Sequence, residues 1–350
     1  MVMKKIVFGI LSSLMALTMV ACSAGGQSSS AALSSDPSVA PTSQAASSLP
    51  AETEPVTMRI ATMKGPTTMG MVKLMSDVDS GNAGGNYQVT MYGTSDEFVP
   101  KIVNGEVDIA AVPCNLASVL YQKTGGKIKV TAINTLGVLY MVESGNQVQS
   151  VADLKGKTIY TTGKGTTPEY VLRYVLTQNG IDPDQDVTIE FKSESTEVAA
   201  MLAQGENVVA MLPQPFVTTA QAKNEKLRIA LDMTEEWNKI STDSSLVTGV
   251  IIVRDEFLQQ NKEAFDTFLQ EYKASTEFVN ANLDQAAALV GGYEIVPEAV
   301  AKKALPHCNI TYIDGAEMKQ KISGYLNVLA EANPQSVGGK VPDAPFYYEK

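Results

Sequence analysis

Histidine occurs once in the 350 residues, at His307, and cysteine three times, at Cys22, Cys114 and Cys308. A histidine-based metal cluster or a Ser/His/Asp triad would have to rest on that single imidazole. No cysteine stands in a C-x-x-C pair or another metal-ligand spacing, so neither a metal site nor a cofactor is expected. Base is scarce relative to acid: the formal net charge is −11, and the first 21 residues hold Lys4 and Lys5 and no acid, which leaves −13 on the remainder. Nucleic acid requires a basic face and is excluded as a partner on this balance. The charge of a small ligand stays open, because a site is local and net charge is global. What is present is 44% hydrophobic and 19% charged residues, the balance of a soluble globular protein with length enough for two domains and a core in each.

Residues 1–21 read as a signal peptide, with Lys4 and Lys5 as the charged region and Ile6 to Val20 as an apolar stretch too short for a membrane span. The stretch ends in Met19-Val20-Ala21-Cys22, followed by Ser23-Ala24-Gly25-Gly26. This resembles a bacterial lipobox, in which the cysteine takes lipid and becomes the new N-terminus; Met19 stands where leucine is usual. Residues 22–55 are then the lipidated cysteine and a tether of Ser, Ala, Pro, Gln, Thr and Gly, a composition that buries too little apolar surface to offset the entropy of ordering. A flexible chain of that length spans roughly 30 Å.

From residue 56 the pattern alternates. Strands are predicted at 56–61, 87–92, 107–112 and 128–136, with helices at 69–78, 98–104 and 116–123 between them. A second, similar run starts near Tyr140, with strands near 156–160, 187–191 and 208–212 and helices at 169–179 and 197–204. The β-branched run Thr248 to Val253 is a further strand, and long helices follow at 256–282, 284–291, 297–304 and 315–332. Strands alternating with helices indicate parallel βαβ units and an α/β class. In both runs a strand leads into a Gly/Pro/Thr turn and a helix, and a later strand ends in proline plus an amide: Pro113 with Asn115, and Pro213 with Gln214.

The order Val151-Ala152-Asp153-Leu154-Lys155-Gly156-Lys157, then Gly163 to Pro168, then Leu172-Arg173-Tyr174-Val175-Leu176 resembles the nitrate/sulfonate/taurine-type substrate-binding proteins of ABC transporters. Ala200-Met201-Leu202-Ala203-Gln204-Gly205 with Val209 to Phe216, and Gly249 to Leu258, are similar to later segments of the same family. The resemblance covers most of residues 56–330. It implies a two-lobed type II periplasmic-binding-protein fold with lobe two (139–248) inserted into lobe one (56–138 plus 249–350). The crossings are expected at 137–140 and 246–249. It also implies an extracytoplasmic, membrane-anchored monomer without catalysis, whose partners are a small-molecule ligand and an ABC permease with its ATPase. An enzyme on the same fold and a ligand-sensing partner of a membrane receptor remain the alternatives. The iron-binding cysteine motif and histidines of pyrimidine-precursor synthases on this fold are missing from the chain.

Candidate ligand contacts follow from the turns. Lys64, Gly65, Thr67 and Thr68 open the first helix, and Gly165, Thr166 and Thr167 open its counterpart, where free N–H groups and the helix dipole favour oxyanions. Each turn also reads as a plain capped turn. It is not a Walker loop, because Gly165 follows Lys164 where Ser or Thr is needed. Asn115 and Gln214 offer amide donors and acceptors. Cys114 is a candidate reactive thiol at a helix start, or a partner for Cys308, or simply buried. Trp237 is either a cleft wall or packed at the surface, Tyr92 and Tyr140 are wall candidates of the same kind, and Met63, Met69 and Met71 are either a cleft edge or core packing. The turns carry Lys64 and Lys164 and no arginine, so the expected ligand is a small organic molecule with an anionic or polar end: a sulfonate, a carboxylate or a heteroaromatic vitamin precursor.

Overall fold

A computed structural model describes residues 56–349. The chain begins with β1 (Thr57–Met63), α1 (Pro66–Met69), α2 (Val72–Asp79), β2 (Asn86–Tyr92), α3 (Val99–Val103), β3 (Ile109–Pro113), α4 (Cys114–Lys123) and β4 (Ile128–Leu136). It continues with β5 (Leu139–Ser144), β6 (Thr158–Thr161), α5 (Thr167–Gln178), β7 (Thr188–Phe191), α6 (Ser195–Gln204), β8 (Val209–Pro213), α7 (Phe216–Lys223), β9 (Leu227–Asp232) and α8 (Met233–Ile240). The last part holds β10 (Val247–Arg254), α9 (Asp255–Gln260), α10 (Lys262–Ala281), α11 (Leu283–Gly292), α12 (Glu298–Ala304), β11 (Ile310–Ile313) and α13 (Gly315–Ala332).

The strands form two sheets, ordered β11-β4-β10-β3-β1-β2 and β7-β6-β8-β5-β9. Both follow one plan. Three parallel strands (β2, β1, β3 in the first; β7, β6, β8 in the second) are extended by antiparallel neighbours, β10 and β4 in the first and β5 and β9 in the second. The chain leaves the first sheet across Gly137 and Val138 and returns to it after α8, at β10. The central strands β3 and β10 are buried on both faces, which is why they read as unbroken apolar runs rather than as alternation.

The structure changes several details of the sequence reading. The helix expected at 256–282 is two helices broken at Asn261, whose backbone N–H and Nδ2 both donate to Phe257 O, at 2.9 and 3.1 Å, and close the first helix. Strands β5, β9 and β11 and helices α7 and α8 had no counterpart in the pattern; β11 is four residues long and pairs with β4. Trp237 is neither a cleft wall nor a surface residue. It is fully buried, its ring centroid 4.8 Å from that of Tyr174 and 5.4 Å from that of Tyr325, and its Nε1 donates to Ser244 Oγ at 2.9 Å. It therefore joins α5, α8 and α13. Met69 and Met71 are fully buried, Tyr92 packs on Phe98, and the Tyr140 hydroxyl donates to His307 O at 3.3 Å. Cys114 and Cys308 are both free and lie in different core clusters, so they do not pair.

One charged cluster sits at the edge of the first core. Asp108, 2% exposed, accepts from Arg59 Nε at 2.8 Å, Arg59 Nη2 at 2.6 Å, the Arg59 backbone N–H at 3.0 Å and Arg254 Nη2 at 2.9 Å. Those donors fix β1 and β10 to the start of β3. The signal peptide, Cys22 and the tether expected at 1–55 lie outside the described residues. No helix among the described residues is long and apolar enough to cross a membrane.

Candidate functional site

A cavity of about 610 Å³ opens where the carboxyl ends of the parallel strands of both sheets meet. This is where open α/β sheets bind ligands, because the turns there present helix N-termini rather than side-chain stems. The first sheet contributes Met63, Lys64, Pro66 and Thr67 from the β1–α1 turn, Gly93 to Asp96 after β2, and Thr248 from β10. The second contributes Leu139, Thr162 to Lys164 and Thr166 to Pro168 after β6, and Phe191 to Thr196 after β7, with Phe216 at the start of α7.

Of the residues singled out in the sequence, Lys64, Thr67, Thr166 and Thr167 line this cavity. Gly65, Thr68, Cys114, Asn115, Gly165 and Gln214 do not. Thr68 is fully buried, donates to Met63 O at 2.5 Å and lies 2.9 Å from Thr62 Oγ1. Gln214 Oε1 accepts from the Thr218 N–H at 3.2 Å and the Thr218 hydroxyl at 2.9 Å, and so caps α7. Asn115, fully buried, donates to Ser336 O at 2.9 Å and to Gly165 O at 3.3 Å, and accepts from Thr167 Oγ1 at 3.3 Å. Its amide therefore ties α4 of the first sheet to the β6–α5 turn of the second instead of facing the cavity. Burial pushes the Cys114 thiol well above its ordinary range, so it is inert rather than activated.

The β6–α5 turn is shaped from inside. Gly165 has φ 76°, a left-handed value that a side chain would strain. Its N–H donates to Glu169 Oε2 at 2.7 Å, while Arg173 Nε holds Glu169 Oε1 at 2.8 Å. Thr166 closes the turn by donating through Oγ1 to Gly163 O at 2.7 Å. The N-cap residues of α5 and α6, Thr166 and Glu194, make no side-chain cap hydrogen bond. Thr166 to Pro168 and Glu194 to Thr196, at the starts of these two helices, line the cavity.

The sequence reading missed the turns after β2 and β7. These supply Thr94 and Ser95 from the first sheet and Ser193, Ser195 and Thr196 from the second. With Thr67, Thr162, Thr166, Thr167 and Thr248 they make a wall of hydroxyls. Thr248 Oγ1 is shielded from solvent and has no hydrogen-bond partner among the described residues. The signal was available, since both turns follow parallel strands as the recognised turns do. Lys64 and Lys164 line the cavity and have no carboxylate partner among the described residues; Lys164 lies 5.9 Å from the Phe191 ring centroid. Lys192 lies 5.5 Å from the Tyr160 centroid and 3.6 Å from Glu190. Asp96 and Glu194 are the acids of the wall, and no arginine or histidine lines it. Met63, Leu139, Phe191 and Phe216 form its apolar part.

Residues 80–293, more than half of the chain, match the family described as ABC transporter, phosphonate, periplasmic substrate-binding protein. The chain belongs to that family. Phosphonate-family membership agrees with the class of protein that the sequence motifs resembled, with phosphonate in place of nitrate and taurine. Among solved structures, an ABC transporter protein from Parabacteroides distasonis superimposes with a TM-score of 0.69 at 24% identity, over 84% of this chain and 99% of that one. The periplasmic aliphatic sulphonate binding protein SsuA from Escherichia coli gives a TM-score of 0.66 at 16% identity, over 85% of this chain and 93% of its own. At these identities the likeness shows the fold, which is the periplasmic-binding-protein fold. A Brucella abortus protein described as a binding protein is 26% identical over 180 residues, 51% of this chain and 54% of the relative. The chain thus spans about half the length of the curated relatives it matches.

Proposed function

We propose that this phosphonate-family protein is an exported lipoprotein that captures a small organic oxyanion in the cleft between two lobes and delivers it to an ABC importer. The observation that carries the ligand class is the composition of the wall. Hydroxyl-bearing residues, the starts of two helices whose N-cap side chains make no cap hydrogen bond, and two lysines with no carboxylate partner among the described residues all line one cavity. Each charge-assisted hydrogen bond contributes about 1.5–3 kcal/mol, and apolar contact with the organic substituent must add to them to offset the cost of association. The lysines act as point charges; without arginine there is no bidentate fork. The cavity is far larger than a bare tetrahedral ion, and Met63, Leu139, Phe191 and Phe216 suit an organic substituent. The starts of α5 and α6, with their serines and threonines, line the cavity from the second sheet, and the anionic head is assigned to that side.

The reading is one of binding without chemistry, by a monomer whose lobes are residues 56–138 plus 249–350 and residues 139–248. His307 lies outside the cavity wall, which removes the chain's single imidazole from any reaction there. A thermal-shift panel of alkylphosphonates, alkylsulfonates, carboxylates, inorganic phosphate and uncharged amides tests the ligand class. Stabilisation by an organic oxyanion is the expected result; stabilisation by the uncharged amides alone rejects it. Anchoring is tested separately in the host: wild type is expected in the detergent phase and Cys22→Ala in the aqueous phase, and equal partitioning of the two rejects lipidation at Cys22.

A further inference from the structure

Behind the cavity wall, one amide joins the two sheets. Asn115 is the second residue of α4 and Thr167 the first of α5, and both are fully buried. Asn115 Nδ2 donates to Ser336 O at 2.9 Å and to Gly165 O at 3.3 Å, while its Oδ1 accepts from Thr167 Oγ1 at 3.3 Å. Ser336 belongs to the segment after α13 that packs on α4, where Ser118 Oγ donates to Val337 O at 2.7 Å and Gln122 Nε2 to Lys340 O at 3.1 Å. Gly165 and Thr167 belong to the β6–α5 turn, whose Thr166 and Thr167 line the cavity.

The chemistry of the three partners fixes the amide. Ser336 O and Gly165 O are carbonyls and only accept, so the two Nδ2 hydrogens face them and Oδ1 is left for the hydroxyl. An ionised aspartate of the same shape could donate to neither carbonyl, and leucine makes none of the three bonds. The bonds are also unequal. The short one stays within the first-sheet side of the molecule, and the two longer ones cross to the second. This is the pattern of a group seated on one side and holding the other lightly. Water can take over the longer bonds at small net cost, because a hydrogen bond to water replaces each one lost. The two halves also touch beside the cavity, where a methyl added at Gly65 would stand 3.5 Å from Phe216 Cε2 and one added at Gly93 2.9 Å from Glu194 Oε1.

We propose that Asn115 is a latch between the lobes: a positioning residue, not a ligand contact, that holds the β6–α5 turn against the first lobe and releases it when the cleft opens. This rests on the two-lobe reading given above and not on the ligand class. Thr167 couples the latch to the ligand. A ligand seated at the start of α5 and the Asn115 amide hold the same turn, so each favours the arrangement that suits the other. Tyr325 of α13 joins the same junction: burial pushes its hydroxyl up, and the Thr167 side chain draws it partly back.

Hydrogen exchange of the full chain, without added ligand, tests the latch. Thr167→Val keeps the side-chain shape and leaves the bond from Asn115 to Ser336 in place. Peptides covering the turns after β2 and β6, which line the cavity from opposite sheets, are expected to exchange about fivefold faster in this variant, the effect of losing about one hydrogen bond. Residues 333–340 are expected to exchange as in wild type. Asn115→Leu is expected to speed the same two turns and residues 333–340 as well. A rise confined to the β6–α5 turn in Thr167→Val, or to α4 and residues 333–340 in Asn115→Leu, would show a brace within one lobe and overturn the latch. Unchanged exchange in both turns overturns it too. Since no ligand is added, failure here leaves the ligand class to the thermal-shift panel, and failure of that panel leaves the latch standing.

Discussion

Asp108→Ala is expected to lower the stability of the folded body by about 3 kcal/mol, the low end of the range for removing one partner of a buried charge cluster. The low end applies because the arginines left behind reach solvent: the Arg59 side chain is 41% exposed and that of Arg254 17%, against 2% for Asp108. Urea unfolding should show an unchanged slope and an earlier midpoint. The effect should depend on pH. Burial alone pushes the Asp108 carboxyl up, but hydrogen bonds from Arg59 and Arg254 more than offset it and bring the group below the usual carboxylate range. A depressed folded value stabilises the fold above the unfolded carboxylate value of about 3.9 and loses that contribution as pH falls through the folded value. The gap between wild type and Asp108→Ala is therefore widest at neutral pH and narrows in acid. A gap independent of pH would mean that lost packing, not charge, causes the loss.

Ser195→Asp should separate stability from binding. Ser195 is the first residue of α6 and lines the cavity, with its hydroxyl 3.2 Å from Thr162 Oγ1. A carboxylate in the first turn of a helix interacts favourably with the dipole, by about 0.3–1 kcal/mol, so the melting temperature should hold or rise. If the ligand is the proposed oxyanion, the same carboxylate meets a like charge across the interface, which costs several kcal/mol, and affinity should fall about 100-fold or more. Ser195→Asn, of similar size and neutral, should lose less than tenfold. If Ser195→Asp binds as tightly as wild type, the head group does not sit at the α6 N-terminus. If it binds more tightly, the ligand is a cation.

The alternation of strands and helices was legible because each element follows a local rule. The unbroken apolar runs at β3 and β10 and the Gly/Thr/Pro turns before α1 and α5 mark their own positions. What stayed hidden depends on partners distant in sequence. β11 exists because Ile310 and Ile313 pair with Thr135 and Ile133 of β4, and nothing local in four residues announces that. Trp237 read either as a cleft wall or as packed at the surface; its burial is set by Tyr174 and Tyr325, from helices on either side of it in sequence.

In the site, the turns were found and the individual contacts were less legible. Thr67 and Thr167 line the cavity, while Asn115 and Gln214, chosen as amides beside strand ends, turn inward to hydrogen-bond protein. A buried amide and a ligand-facing amide have the same sequence signature; only the fold tells which way the group points. The hydroxyl-rich turns after β2 and β7 obey the strand-end rule that identified the others, so applying the rule to every parallel strand would have found them. Thr248 would still have been missed, because it lies within the returning strand β10 rather than after a strand end.

The most direct test of the cleft as an organic-oxyanion site is mass spectrometry of the small molecules released on denaturing protein purified from its own host. A compound in near-equimolar amount bearing a phosphonate, sulfonate or carboxylate group on an organic frame, and missing from the Ser195→Asp variant, is the predicted result. A neutral or cationic compound, or a bare inorganic ion, released in equal amount from both proteins would contradict it.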